Sequence, residues 1–432
     1  MQTSSDIARD GATGRNASLV GAPEPALAAW IRDARRSVLR QMVELVARPG
    51  VVSMAGGLPA PELFPRAELA SAYERVLGRE VKALQYLPPF MPLKEQIQDL
   101  MRARGVVCDL DQIVLTTGAQ QALDVLARLL VDRGTTVIAE AQAYTGIHQV
   151  VAPRGARIRT VGADLDHGID PEAVEARLGE GDARMIYTVP EGHNPLGVTL
   201  APERRRRLVE VAARHGVPIV EDDPYGFLAY DGAAQPALAA ADEVSEGGGV
   251  VYVGSFSKIL GPALRLGWMV LPKPLVARAS IIKEGMDLEC SSLTQRVVSE
   301  LLADREFFAS HLRRLRDTYR ERRDAVLGEL RQVALEGASW SRPSSGMFVY
   351  LRFAPDAVPE GFETRSLLQR ALDEEQLAFI PGSAFDCVPG AGGDLGLRLS
   401  FSLLEPEALR DAVRRLARSV ASHRQALSVA DG

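Results

Sequence analysis

Residues 250–270 read VVYVGSFSKILGPALRLGWMV, two apolar runs on either side of a short polar segment that carries one lysine. Runs of this kind predict two buried strands with an active-site loop between them. The lysine, Lys258, is one of only five (Lys82, Lys94, Lys258, Lys273 and Lys283) among 50 Lys and Arg residues. A chain that meets its need for positive charge with arginine keeps a lysine where an amine is wanted, because an amine can deprotonate and attack a carbonyl and a guanidinium cannot. Lys258 is therefore a Schiff-base candidate, the plain alternative being a lysine that caps a strand end. Ser255 and Ser257 place hydroxyls on either side of Phe256, and Arg265 carries a fork suited to phosphate. A lysine beside a phosphate site points to pyridoxal phosphate.

Outward from this stretch, 432 residues exceed what one core normally serves, and 46% hydrophobic content is ample for two domains. The net charge of −6 and a pI near 5.7 argue against nucleic acid, which needs a basic face. The run Arg204–Arg207 sits in APERRRRLVEVAARHG, whose apolar spacing predicts a helix with a solvated basic face. Cys108, Cys290 and Cys387 have no paired spacing, so neither a disulfide framework nor a metal site is expected. The N-terminus lacks the apolar core of a signal peptide, and no run approaches the ~18 apolar residues of a membrane span. A cytoplasmic protein in a reducing compartment, without membrane or nucleic-acid partners, is the expectation.

In chain order, residues 1–29 lack periodicity and read as a flexible tail, and 30–46 read as a helix stopped by Pro49 and Gly50. VVSMAGGLP is a short strand entering a glycine turn, where backbone can approach a ligand closely at Gly57. From Gln112 onward, IVLTT, TTVIAE, ARIRTVGAD, RMIYTV, VPIVED, VVYVGS and RLGWMV alternate with amphipathic helices. This predicts an α/β domain with a mostly parallel sheet and ligands at the strand ends. Thr117–Gln120 turns the first strand into a helix whose free N–H groups, Ala119 and Gln120 among them, form a ready phosphate site. Beyond Lys283, long helices and the strands around FVYLRF and LGLRLSFS predict a smaller α+β domain. The boundaries expected are 1–29 tail, 30–60 arm joining the small domain, 61–300 large domain and 301–432 small domain. Arg398 stands mid-strand among apolar residues, where an unpaired guanidinium is costly, so it needs an anionic partner: a structural carboxylate or a bound one.

AGGLP, LQY, HNPLG, DDPYG, SFSK, RLG and RLSF occur in this order. Together they resemble the fold-type I, pyridoxal-phosphate-dependent aminotransferases, and among these the kynurenine and 2-aminoadipate aminotransferase group. The resemblance spans roughly residues 30 to 425. It implies that Lys258 bonds the cofactor and moves the α-proton. Asp222, rather than Asp223, would face the ring nitrogen, Tyr225 and Asn194 the phenolic oxygen, and Tyr144 the ring plane. Ala119, Gln120, Ser255, Ser257 and Arg265 would hold the phosphate side, while Gly57, Asn194 and Arg398 would meet the substrate, Arg398 at its α-carboxylate. Tyr86 would reach the phosphate of a neighbouring subunit, making the active sites of a homodimer shared.

The activity implied is ping-pong transfer of an amino group from an L-amino acid to a 2-keto acid. The same apparatus also supports decarboxylation, oxidative deamination or side-chain replacement, and Leu196, in place of the family's threonine, marks a possible divergence. Transcription factors that resemble this group carry a winged-helix module ahead of it, for which the residues before the first helix are too few. Glu289, in EGMDLECSSLTQ (284–295), lies in the segment that in the family lines the neighbour's pocket. A free carboxylate there would disfavour dicarboxylic substrates and favour cationic ones.

Overall fold

The computed structural model describes residues 29–32, 50–232, 234–241 and 249–430. The tail and most of the helix read at 30–46 lie outside them. Ala29–Arg32 is a helical turn in a compact unit of residues 1–34, and a second compact unit, 35–432, holds both large sheets.

The larger sheet has seven strands: β1 (Ile113–Thr116), β2 (Thr136–Glu140), β3 (Arg157–Val161), β4 (Ala183–Thr188), β5 (Ile219–Asp222), β6 (Val250–Ser255) and β7 (Gly267–Val270). Their spatial order is β1-β7-β6-β5-β4-β2-β3. Only β7 runs against its neighbours, and the other pairings are parallel. Every residue of β2, β5 and β6 is buried, which is why these strands read as continuous apolar runs rather than as alternation. The parallel strands end on one edge, at Thr116, Asp222 and Ser255 among others, and that edge is where an open α/β sheet binds ligands.

The stretch 250–270 folds as read, with β6 and β7 antiparallel, Gly267 opposite Ser255, and the lysine loop leaving the ligand edge. Trp268, opposite Gly254, is fully buried and packs on Phe256 with ring centroids 4.9 Å apart. A Cβ on Gly254 would stand 2.3 Å from the indole, so the glycine is what admits the tryptophan. The helix Ala119–Leu130 follows β1 and turns Leu123, Val125 and Leu126 into the core.

The smaller sheet, entirely antiparallel, has the order β8-β9-β11-β10, with β8 Ala338–Trp340, β9 Phe348–Phe353, β10 Ile380–Pro381 and β11 Gly396–Ser400. The helices Arg305–Leu330 and Thr364–Glu375 pack with Pro406–Ala430 beside it. Val52–Ser53 pairs in parallel with Leu377–Ala378, and the Ser400 N–H donates to the Met54 carbonyl at 2.7 Å. The glycine turn at 55–59 thus hangs from the small sheet.

The helix Pro202–His215 corrects the reading of its arginines as a solvated face. Arg205 is buried, 2.6 Å from Glu191, while Arg204 pairs with Asp164 and Arg207 with Glu172 and Glu175. The periodicity shows which residues face inward but not that one of them is a guanidinium with a buried partner. No helix among the described residues is long and apolar enough to cross a membrane, and none of their His, Cys, Asp and Glu groups is arranged to hold a metal.

Candidate active site

At the ligand edge of the large sheet, facing the small sheet, lies a cavity of about 560 Å³. Its lining includes Gly57, Ala119, Gln120, Tyr144, Asn194, Asp222, Tyr225, Ser255, Ser257, Lys258, Arg265 and Arg398. Of the cofactor and substrate residues that the resemblance assigns, Tyr86 alone is not part of it, being 83% exposed on the surface of the single chain.

Lys258 is half-buried in the loop after β6, and its amine donates to the Gly57 carbonyl at 2.9 Å. Burial, with the Arg398 charge adding to it, lowers the amine to about 8, so a larger share of it is neutral near physiological pH than of an ordinary lysine. Asp222, at the end of β5, accepts from the Tyr187 hydroxyl at 2.9 Å through Oδ2, while its buried Oδ1 has no partner. Burial pushes this carboxyl up to about 7, against the Tyr187 hydrogen bond. The next residue behaves differently: Asp223 takes Arg104 and the Tyr252 hydroxyl, each at 3.0 Å, in a buried ion pair outside the cavity lining. Side-chain alternation along the strand end separates the two carboxylates, one toward the cavity and one into structure.

Arg398, in mid-β11, donates from Nη1 to Asn194 Oδ1 at 2.7 Å and from Nη2 to the Ala55 carbonyl at 2.6 Å. Its guanidinium lies over the Phe348 and Phe385 rings, 4.3 and 4.7 Å from their centroids, and its Nε has no partner. Burial lowers this guanidinium to about 10. Among the described residues, Lys258, Arg265 and Arg398 are met by carbonyls and an amide oxygen, and by no carboxylate. Two of the five Arg398 N–H groups fix its plane and the rest remain for an anion. Asn194 is oriented by the same contact, because with Oδ1 committed its amide N–H₂ is left to donate.

A second anion site lies where the helix Ala119–Leu130 begins, its first N–H groups having no carbonyl ahead of them. Gly118 enters it at φ +82° and lies against the Arg265 fork, a conformation and a closeness that a side chain would disturb. Ser255 and Ser257 join hydroxyls at 2.9 Å beside it, and Arg265 reaches the Thr117 carbonyl at 3.1 Å. Tyr144 is set by a 3.2 Å hydrogen bond to Gln120, so Gln120 orients a ring as well as lining the cavity.

His193 lies behind this site, with Nδ1 accepting from the Leu196 N–H at 3.3 Å and Nε2 3.5 Å from Glu140, and it does not line the cavity. Glu289 is not a free carboxylate: it holds Lys283 at 3.2 Å and the Cys290 N–H at 2.8 Å, and is absent from its own chain's cavity. Within the chain the carboxylate is paired rather than free, sharing the Lys283 ammonium with Asp287. The sequence reading also missed Tyr187, Phe348 and Phe385. Tyr187 left a readable sign, because a tyrosine in a largely apolar strand must find an acceptor for its hydroxyl once buried.

The donor set fits pyridoxal phosphate: an anion cradle at one end, an amine near neutrality, and an enclosed carboxylate with one oxygen unclaimed by the protein. The family model for aminotransferase class I and II matches residues 62–416. A 2-aminoadipate transaminase from Thermus thermophilus is 37% identical over 387 residues, covering 89% of this chain and 94% of the relative. The crystal structure of an alpha-aminoadipate aminotransferase from Thermus thermophilus, complexed with N-(5'-phosphopyridoxyl)-L-leucine, superposes with a TM-score of 0.80 at 35% identity, covering 90% and 95% of the two chains. A kynurenine aminotransferase from Pyrococcus horikoshii gives a TM-score of 0.84 at 31% identity, covering 92% and 97%. With the predicted α/β architecture observed and the family model matched over most of its length, the chain belongs to the class I and II aminotransferases of fold-type I.

Proposed function

We propose that this chain binds pyridoxal 5'-phosphate in the 560 Å³ cavity and uses it to move the amino group of an L-amino acid to a 2-keto acid. The observation that carries the reading is the gathering, in one cavity, of a lysine lowered to about 8, a carboxylate with an oxygen free of partners among the described residues, and an arginine that no carboxylate among them pairs. When bound, the cofactor supplies an electron sink conjugated to the amino acid's Cα.

Ser255, Ser257, Arg265 and the N–H groups of Ala119 and Gln120 hold the phosphate. Asp222 Oδ1 would accept a hydrogen bond from the protonated ring nitrogen and keep it protonated, and Tyr144 would stand beside the ring. The Asn194 amide and the Tyr225 hydroxyl donate to the phenolic oxygen; burial holds Tyr225 protonated, well above the usual tyrosine range. Arg398 clamps the α-carboxylate and so fixes which Cα bond lies across the ring. Lys258 Nζ takes the Cα proton and returns it, because its lowered basicity lets it do both near neutral pH.

The Thr117–Gln120 turn and the lysine loop belong to the large domain we place at 61–300, and Arg398 to the small domain at 301–432. The arm at 30–60 joins the small domain, which the pairing of Val52–Ser53 with Leu377–Ala378 supports. A homodimer with shared sites is part of the reading. Tyr86 stands exposed with Val81 and Leu84, three apolar side chains that a second copy would cover. The buried free thiols Cys108, Cys290 and Cys387 suit a reducing, cytoplasmic setting. The test is to incubate the purified protein with single amino acids and 2-oxoglutarate while following the cofactor's absorbance and the keto acid released. An amino acid alone should convert the cofactor once per site. Spectra unmoved by every amino acid, or carbon dioxide or ammonia as the product, would sink the proposal.

A further inference from the structure

Asp222 lines the cavity with Oδ1 without a partner among the described residues and Oδ2 already taken. The residue that takes it, Tyr187, is fully buried in β4, opposite Val220 and so on the same face of the sheet as Asp222 two positions further on. Burial and the Asp222 charge hold this phenol protonated, so it is a permanent donor. The other groups that face Asp222 are Asp223 beside it in the chain, His193 after β4, Tyr144 after β2, and Tyr225. None of them hydrogen-bonds its carboxylate among the described residues.

We infer that Tyr187 is a positioning residue for the amino-transfer reaction: its hydroxyl locks one oxygen of Asp222, fixes the carboxylate plane, and leaves the other oxygen for the cofactor's ring nitrogen. This rests on the reading of Asp222 as the ring partner. Without the hydroxyl, the carboxylate would be free to rotate and would lose the hydrogen bond that, with the nearby His193, opposes its protonation.

The fold supplies its own control. Tyr252, equally buried in β6, donates to Asp223 at 3.0 Å, so Tyr252→Phe removes the same kind of bond from the neighbouring carboxylate. The experiment compares the Tyr187→Phe, Tyr252→Phe and Asp222→Asn holoenzymes for thermal unfolding, for cofactor retained on ultrafiltration across pH, and for kcat and KM. In Tyr187→Phe the acid limb of cofactor retention and of kcat should move up by roughly one pH unit, a loss of about tenfold below the midpoint. KM for the amino acid should hold, because the Arg398 contacts are untouched. Tyr252→Phe should keep the parent's pH profile. A parent-like profile in Tyr187→Phe beside a crippled Asp222→Asn overturns the positioning role alone. The same displacement in Tyr252→Phe overturns it too, since any buried hydroxyl would then serve. A harmless Asp222→Asn overturns the ring-partner reading and the role of Tyr187 with it.

Discussion

Two adjacent aspartates show how much is decided at a single residue. Asp222→Asn keeps the shape of the side chain but removes the anion, and turnover should fall roughly 10²- to 10³-fold with the melting temperature little changed. Asp223→Asn should do the reverse, because Arg104 loses the nearer of its two buried carboxylate partners and keeps only Glu191 at 3.7 Å, at about 1 to 3 kcal/mol of stability. Rate and unfolding measurements on both variants check this, and equal rate losses would mean that the partner of the ring is misassigned. Lys258 sets the pH dependence. The amine must be neutral to bond the cofactor, and protonation dominates below about 8; Asp222 must be ionised, and protonation dominates below about 7. Both losses fall on the acid side, so the rate of cofactor capture by stripped protein should climb between about pH 6 and about pH 9 and then level. Lys258→Ala should show no covalent capture at any pH, and borohydride reduction of the parent should label Lys258 and not Lys283.

At the scale of the element, the segment after the helix Lys273–Asp287 shows what Glu289 does within its own chain. Asp287 and Glu289 share Lys283, and Asp287 Oδ2 also accepts from Thr117 at 2.8 Å and Gln121 at 2.7 Å, tying this helix end to the phosphate turn. Glu289 is therefore part of a brace. Glu289→Gln should leave the ratio of efficiencies on glutamate and lysine where it was and cost about 1 to 3 kcal/mol of stability. A ratio that moved tenfold would restore Glu289 to a substrate pocket. Local pattern located the elements well: the helix 119–130 has the bounds its sequence suggests, and each of the seven strand readings is present. Which charges pair across elements was not legible, because partners such as Arg205 and Glu191 are brought together by folding.

In the whole molecule, Tyr86 is the residue that one chain cannot explain. If it completes the site of a second copy, hybrids of Tyr86→Ala and Lys258→Ala subunits should regain activity that neither variant has alone. Each hybrid dimer would hold one site with both Lys258 and an intact Tyr86. Mixed subunits that exchange, by sedimentation or native mass measurement, yet stay as inactive as the Lys258→Ala parent would show that Tyr86 serves no neighbouring site.

The sequence by itself determined the α/β order and the lysine loop, since strand periodicity, glycine turns and a scarce lysine are local signals, and its resemblance to a known family supplied most of the twelve named residues that line one cavity. It also narrowed the ring partner to the DDPYG segment. Only the tertiary structure decided that Asp222 lines the cavity while Asp223 pairs with Arg104 outside it, that Tyr187 hydrogen-bonds Asp222, and that Glu289 meets Lys283. Those are statements about which polar group meets which in a medium that penalises any left alone, and partners separated by 35 or 119 positions are chosen by packing, not by neighbourhood in the chain.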